Sequence, residues 1–146
     1  NDAPSTVTRL LNMGIEPFLV ASSVILIMAQ RLARRICTKC KEEEKAPPEA
    51  LIEIGFNPEE AGKVVCYKGK GCDACSSTGY KGRLALYEVM PIGDQLRELI
   101  LQGASADEIK KRAMATGMKT LRMSGLQKIK DGLTTIEEVV DTTFSD

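Results

Sequence analysis

The amino-acid sequence predicts an α/β fold, and three of its features carry that prediction. Residues 82–90 (GRLALYEVM) alternate apolar with polar side chains, which is typical of a strand with one buried face. After Pro91 the pattern becomes helical, and glycine stops divide it into four short segments. Two Cys-x-x-Cys pairs lie on either side of the region 41–71. The length of 146 residues fits one domain, or one domain and a piece of another.

The composition is that of a globular protein and excludes several classes of function. Hydrophobic residues make up 43% and charged residues 27%, which argues against global disorder. Lys plus Arg and Asp plus Glu are both 20, so the net charge is zero and we expect no nucleic-acid partner. The chain has no His, which excludes imidazole bases and His-containing metal sites. It has no Trp and only three Phe and three Tyr, too few for a base-stacking platform.

The first residues give no sign of a leader or a membrane span. The chain begins NDAP, without Met, and no basic segment leads into an apolar one, so no signal peptide is visible. The most apolar run, VILIMA at 24–29, is far shorter than the roughly 20 residues that cross a bilayer. We therefore expect a soluble, cytosolic protein, and one that is a piece cut from a longer chain.

The N-terminal segments predict one helix and leave the next element open. In residues 1–14, Ser5 is a candidate cap, apolar positions share a face, and Gly14 ends the helix. A second segment opens at Pro17, and apolar residues up to Ile36 follow helical spacing. The β-branched residues at 24–27 allow a buried strand instead, and the sequence does not decide between the two. On the opposite side of the helical pattern lie Arg31, Arg34 and Arg35.

Four of the five cysteines have the spacing of a zinc site. Cys37 with Cys40, and Cys72 with Cys75, form two tight turns that can each aim two sulfurs at one ion. Four thiolates complete a tetrahedral Zn²⁺ shell with Zn–S distances of about 2.3 Å, and such a closed shell is structural. We therefore predict one structural zinc ion. Its loss should loosen residues 37–81 and leave the helices after Pro91 folded.

Other uses of the thiols fit less well. A redox Cys-x-x-Cys is ordinarily single, disulfides suit secreted proteins, and iron–sulfur clusters favour other spacings. A thiol oxidoreductase and a stand-alone zinc-ribbon binding module remain the alternative functions. Cys66 lies outside both pairs and is expected to be a small, half-buried apolar residue.

The region between the pairs and the C-terminal third supply the remaining elements. KEEEKAPPEA at 41–50 predicts a surface connection, 48–55 a short helix, 57–62 a capped helical turn, and 64–67 a short strand. The four C-terminal helices are predicted to form a small bundle. The first covers 94–102, and the second opens at Ser105 with Glu108 and ends at Gly117. The third covers 120–130, and the fourth is capped by Thr134 with Glu137 or by Thr135 with Glu138.

The residues contain no complete active site. There is no Gly-x-x-x-x-Gly-Lys-Ser/Thr loop and no Gly-x-Gly-x-x-Gly, and the Gly69-Lys70-Gly71 run is only a glycine-rich approach to Cys72. Glu88, on the predicted strand, is interpreted as a partly buried ion-pair partner of an arginine such as Arg31 or Arg83. We therefore predict no catalytic residue in this chain.

A set of short motifs nevertheless resembles a known family over the whole chain. Together they are similar to the type IV pilus assembly (extension) ATPases and the type II secretion ATPases. The motifs are NDAP at 1–4, Arg9-Leu10, MGIEPF at 13–18, QRLARR at 30–35, the paired Cys-x-x-Cys, GYKGR at 79–83, Tyr87-Glu88 and LTTIEEV at 133–139. Retraction ATPases resemble these proteins but lack the cysteines, so the cysteines favour extension or secretion.

The resemblance implies a parent protein that is a hexameric motor. It would be cytoplasmic, peripherally associated with the inner membrane, and would use ATP and Mg²⁺ to drive a platform protein of the pilus or secretion machine. The Walker A loop, the Walker B segment and the His box of such proteins lie upstream of residue 1. The chain alone is therefore expected to be inactive, and no residue in it is assigned to nucleotide binding.

The resemblance also implies the domain organisation. A strand is preferred at 27–35, antiparallel to the strand at 82–90. Residues 1–36 would be the end of the RecA-like ATPase core, 37–81 a tetracysteine zinc-binding insertion, 82–91 the returning strand, and 92–146 a C-terminal helical subdomain. In the ring, the arginines at 31, 34 and 35 are candidates for ion pairs between subunits, with a solvated charged stretch as the alternative.

Overall fold

The computed structural model describes residues 2–144, which form an α/β chain of short helices and antiparallel strands in two compact units. The first unit comprises residues 2–30 and 87–120, and the second 31–86 and 121–144. In chain order the elements are α1 (Ala3–Asn12), α2 (Pro17–Ser23), β1 (Leu26–Ile36), β2 (Lys41–Glu44), α3 (Pro48–Ile54), α4 (Pro58–Ala61), β3 (Cys66–Gly69), β4 (Tyr80–Pro91), α5 (Asp94–Leu101), α6 (Ala106–Ala115), α7 (Leu121–Lys130) and α8 (Ile136–Thr142).

The segment left open between helix and strand contains both. Its first seven residues form α2, and the rest is β1, paired with β4. Exposure alternates along β1 from Leu26 to Ala33, as a pleated strand requires. Ile92 N–H donates to Ile25 O at 2.9 Å and Cys37 N–H to Gly79 O at 3.0 Å, so the strands are antiparallel. The predicted pairing of 27–35 with 82–90 is confirmed.

The first unit is held together by an apolar core between four helices and the C-terminal end of β4. Val7 of α1, Val20 of α2, Ile100 of α5 and Ile109 of α6 are all buried with Met90. The cap of α1 differs from the prediction: the side chain of Asp2 accepts the Ser5 N–H at 2.9 Å, and Ser5 is already the third helical residue. The helix begins early because Asp2 caps it and a proline fits its first turn.

Glu88 is the buried carboxylate of the first unit. It lies on the same face of β4 as Met90 and is 2% exposed. Its Oε2 accepts the Ala3 N–H at 2.7 Å, at the positive end of α1. Glu88 therefore contacts the first turn of a helix and is more buried than predicted, while its ion pair with an arginine stays a prediction.

The second unit contains a strand pair of which the sequence predicted one partner only, the short strand placed at 64–67 and observed as β3. The charged run at 41–44 is β2, whose residues are all exposed, and it pairs antiparallel with β3 from Lys41 opposite Gly69 to Glu44 opposite Cys66. The Lys41 ammonium lies 4.3 Å from the centre of the Tyr67 ring. Pairing with β3 and this cation–π contact therefore hold a segment whose composition favours a surface connection.

The four C-terminal helices divide between the two units. Helices α5 and α6 pack against α2 and α1 in the first unit. Helices α7 and α8 belong to the second unit, where they bury Ile129 and Val139 against Leu51, Phe56 and Cys66 of the insertion. The prediction of one bundle is therefore wrong in packing, although all four helices are present, because each pair has a different apolar partner. Within residues 2–144, no helix is both long enough and apolar enough to cross a membrane.

Candidate metal centre

The four paired cysteines meet at one point in the second unit. The sulfur atoms of Cys37, Cys40, Cys72 and Cys75 all lie within 4.8 Å of one another. Three of the sulfur pairs, 37 with 72, 40 with 75 and 72 with 75, are separated by 3.8 Å. A regular tetrahedron with Zn–S distances of about 2.3 Å has edges of about 3.8 Å. The arrangement is therefore already that of a tetrathiolate shell.

Each pair is placed by the strand that ends or begins beside it. Cys37 directly follows β1, and its N–H donates to Gly79 O, which directly precedes β4. Cys40 directly precedes β2, and its carbonyl accepts the Lys70 N–H at 3.1 Å, just beyond β3. The two strand pairs thus bring both turns to the same place, although 31 residues separate Cys40 from Gly71.

Backbone amides point at the sulfurs. Gly71 N–H donates to Cys40 Sγ at 3.3 Å, while Cys72 N–H and Gly79 N–H donate to Cys75 Sγ at 3.3 and 3.2 Å. Such amides stabilise thiolates, because they place partial positive charge beside the sulfur. Burial acts to raise the pKa of Cys75, but these two amides and the neighbouring thiols outweigh it and lower the pKa to about 6.

The turns depend on close backbone contact. A Cβ on Gly69 would meet the carbonyl oxygen of Gly79, so glycine is required there. After Cys75 the chain turns back through two serines in the left-handed region, with φ of 54° at Ser76 and 63° at Ser77. Left-handed backbone at non-glycine residues is strained and persists where surrounding contacts fix it.

The geometry distinguishes among the uses of four thiols. All five cysteines are unbonded, and the 3.8 Å sulfur separations are nearly twice the S–S bond of about 2.05 Å. A redox pair needs two sulfurs, whereas here all four converge. The residues present therefore fit a structural Zn²⁺.

Cys66 lies apart from this cluster, as predicted, but is more buried than expected. It is 3% exposed and packs in the apolar core of the second unit. Burial raises the pKa of its thiol, and the charge of Glu44 acts in the same direction. A neutral thiol of this kind is a core residue.

Comparison with known proteins places the chain in a family. The model of the Type II/IV secretion system proteins matches residues 1–141. The chain belongs to this family. It is 56% identical to the type IV pilus assembly ATPase PilB of Myxococcus xanthus over 100% of its own length and 26% of that protein's. PilB of Thermus thermophilus is 47% identical over 99% of the chain and 16% of that protein, and the type II secretion system ATPase E of Vibrio cholerae is 38% identical over 98% and 28%.

The chain therefore spans 16 to 28% of the length of these three curated relatives. The relatives are named as ATPases of pilus assembly and of type II secretion, which confirms the family that the sequence motifs indicated. The domain bounds and the ligand assignment drawn from that resemblance stay predictions.

The sequence pattern did not predict one polar cluster of this chain. Arg34, at the end of β1, donates from Nε and Nη2 to Glu138 Oε1 at 2.8 and 2.7 Å, and from its backbone N–H to Oε2 at 2.7 Å. Its guanidinium carbon lies 4.0 Å from the centre of the Tyr80 ring. The Tyr80 hydroxyl in turn is hydrogen-bonded to Thr135 Oγ1 at 2.8 Å. Arg34 is thus engaged within the chain, whereas the sequence pattern suggested contacts between subunits.

In this cluster the negative charge of a buried carboxylate is paired with the positive charge of an arginine. The side chain of Glu138 is 7% exposed, so its charge needs the arginine beside it. The hydrogen bond to Glu138 raises the pKa of Arg34, and burial raises the pKa of Tyr80. The contact joins residues more than one hundred positions apart, and the TTIEE pattern at 134–138 signals only a helix cap.

Proposed function

We propose that this chain is the C-terminal part of the RecA-like ATPase domain of a hexameric motor that powers type IV pilus assembly. The alignment of nearly the whole chain with part of the pilus assembly ATPases, at 56% and 47% identity, is the observation that carries the proposal. The chain itself contributes a zinc-stabilised insertion, packing surfaces for the ring, and elements that transmit nucleotide-driven motion.

Type II secretion is the second candidate. Relatives named for that system are 41% identical in Pseudomonas aeruginosa and 38% identical in Vibrio cholerae, again over nearly the whole chain. They share less identity than the first relatives, which is why pilus assembly is preferred. Disrupting the gene in the source bacterium should abolish surface pili and leave secreted enzymes unchanged. Loss of secretion with intact pili would reverse the order of the two candidates.

The proposed cofactor of the chain itself is a structural Zn²⁺. Cys37, Cys40, Cys72 and Cys75 would hold it, and their convergence supports this choice of ligands. The ion would supply a closed cross-link between the two ends of the insertion and leave no position open for water. Lys39 and Lys70, both exposed beside the turns, would offset part of the double negative charge of the tetrathiolate.

ATP and Mg²⁺ belong, in this proposal, to the part of the parent that precedes residue 1. The chain has no phosphate-binding loop and no catalytic carboxylate set, which positioning of the phosphates and the metal requires. The purified 146-residue chain should therefore show no ATP turnover, while the full-length parent in the same buffer does. Steady hydrolysis by the chain, surviving a second purification step that removes contaminating ATPases, would contradict this.

The parent's assembly follows from the same proposal. It would be a homo-hexamer in the cytoplasm, peripherally associated with the inner membrane through a platform protein of the pilus machine. Arg35 is exposed at the end of β1 and remains a candidate for contact between subunits. Sedimentation of the full-length Arg35→Ala variant beside the wild type tests this residue. A weakened hexamer supports it, and an unchanged hexamer assigns it to a solvated face.

A further inference from the structure

We propose that Arg34, Tyr80, Thr135 and Glu138 form a latch through which metal binding at the four cysteines fixes α8. The proposal rests on the zinc site of the proposed function and adds to it a coupling between that site and the C-terminal helix. The latch consists of these four side chains and the hydrogen bonds and ring contact that join them.

Strands β1 and β4 both connect the cysteine cluster directly to the latch. On one side Gly79 donates its N–H to Cys75 Sγ and accepts the Cys37 N–H through its carbonyl, and the next residue is Tyr80. On the other side Ile36, which directly precedes Cys37, donates its N–H to Leu133 O at 2.9 Å. No flexible linker therefore separates the metal ligands from the residues that contact the start of α8.

Polar contacts with β1 and β4 hold the segment that opens α8, in addition to the apolar packing of Ile136 and Val139. The Thr134 hydroxyl donates to Arg34 O at 2.8 Å, and Thr135 caps the helix by accepting the Glu138 N–H at 3.2 Å. Thr135 Oγ1 also makes the bond to Tyr80, so the cap of α8 is itself part of the latch. Moving Tyr80 or Arg34 would disturb the cap and the buried carboxylate together.

Glu138 makes the latch sensitive to such movement. Its side chain is 7% exposed and receives three hydrogen bonds, all from Arg34. A buried carboxylate whose cation shifts away is left uncompensated, which is strongly unfavourable. A shift of the end of β1 would therefore disturb α8, and this end leads directly into the cysteine cluster, where the Cys37 N–H is bonded to Gly79 O.

Coupling of this kind is reciprocal. If metal binding stabilises α8 through the latch, weakening the latch must weaken metal binding by the same factor, and couplings in proteins are on the order of 5- to 150-fold. A merely local structural role for the latch would change the stability of α8 without changing zinc retention. Zinc retention is therefore the measurement that separates the two.

The test uses the full-length protein and three single variants. Glu138→Gln removes the charge that Arg34 pairs with, and Tyr80→Phe removes only the hydroxyl while it keeps the ring beside Arg34. Glu60→Gln is the matched control, because it makes the same chemical change in the exposed Lys130–Glu60 ion pair of the same unit, at 2.9 Å. Zinc affinity, from equilibrium competition with a chromogenic chelator, and amide hydrogen exchange of 134–142 are measured for each.

Chelation of the wild type should raise exchange in 134–142. Glu138→Gln should bind zinc at least about fivefold more weakly, Tyr80→Phe should show a smaller loss of affinity, and Glu60→Gln should keep the wild-type affinity. Exchange in 134–142 that stays the same after zinc leaves, or latch variants that retain zinc like the control, would overturn the latch and leave the zinc site standing. Wild-type protein without stoichiometric metal would overturn both proposals.

Discussion

The two units of this chain achieve their stability in different ways. The first unit buries an extensive apolar cluster contributed by four helices and a strand end. The second unit contains more of the chain, yet its apolar cluster has six buried members, three from the insertion's helices and the turn between them, one from β3 and two from α7 and α8. The cysteine cluster and polar contacts, such as those of Arg34 with Glu138 and of Arg122 with Thr143, add to its order.

The difference gives a reason why, among residues 2–144, the cluster that could hold a metal ion lies in the second unit. Burial of apolar surface is the dominant favourable contribution to folding, so a unit with little of it needs a cross-link or a ligand. The cysteine turns close the ends of a long insertion that has only short helices and a four-residue strand pair. The first unit should therefore be independent of metal, and the second should not.

Removing a metal ligand should have the largest effect. Structural zinc binds with an apparent free energy of about 10–16 kcal/mol, which couples directly to folding. Ser at position 37, 40, 72 or 75 should lose zinc, as elemental analysis would show, and expose the second unit to proteolysis. Cys66→Ser is the matched control and should keep one zinc per chain. A Cys66 variant without zinc, or a paired-cysteine variant that keeps it, would contradict the ligand assignment.

Gly69→Ala should be the next most damaging change. The added Cβ would meet the backbone of Gly79, which cannot move without displacing the Cys75 sulfur it donates to. Overpacking against backbone costs about 3 kcal/mol. Urea unfolding should show this loss, accompanied by faster zinc release.

Gly62→Ala provides the control for that experiment. Gly62 has φ of −77° and no atom within 4 Å of an added Cβ. Ala there should leave stability unchanged or raise it by up to about 1 kcal/mol. Equal destabilisation by the two substitutions would show that close approach at Gly69 is not what the site depends on.

Gly125→Ala should cost about 1–2 kcal/mol in the second unit alone. An added Cβ would lie 2.6 Å from Val139 Cγ1, where α7 packs on α8. Because the obstacle is a side chain, the double variant with Val139→Ala should recover part of the loss caused by Gly125→Ala. Thermal unfolding of the two single variants and the double variant measures this coupling. Strict additivity would contradict the packing described for these helices.

Lowering the pH should destabilise the second unit before the first, and the effect on the first unit is the smallest predicted here. Burial acts to raise the pKa of Asp2, but its hydrogen bonds with Ser5 and the charge of Lys110 lower it below 3.8. A carboxyl with a lowered pKa stabilises the fold above its unfolded pKa, and this contribution is lost as pH falls through the folded value. Zinc thiolates are protonated earlier, so exchange in 37–81 should rise before exchange in α1. The reverse order would contradict the comparison.

The sequence predicted best what depends on local pattern. The cysteine spacing indicated that the four paired sulfurs meet, because each pair forms its own turn, and the glycine stops marked helix ends because Gly55, Gly103 and Gly117 have positive φ. The sequence offers two candidate caps for α8, Thr134 and Thr135, and Thr135 is the one that caps the helix. These signals lie within a few residues of the feature they predict.

What the sequence did not predict depends on distant partners. Strand β2 is composed of lysine and glutamates, and only pairing with β3 makes it a strand. Arg34 meets Glu138 across more than one hundred residues, and the local patterns, a charged stretch and a helix cap, do not predict that the two pair. The C-terminal helices divide between two units because each pair meets a different apolar face. We therefore expect only α5 and α6, not all helices after Pro91, to stay folded when the metal is lost.

Amide hydrogen exchange of the full-length protein, before and after zinc is removed with a chelator, tests most directly whether only the second unit depends on metal. Protection should fall by at least about tenfold in peptides from 37–81 and from α7, while peptides from α1, α5 and α6 keep theirs. Equal loss of protection in both units, or none in either, would contradict the claim that only the second unit is built around a metal.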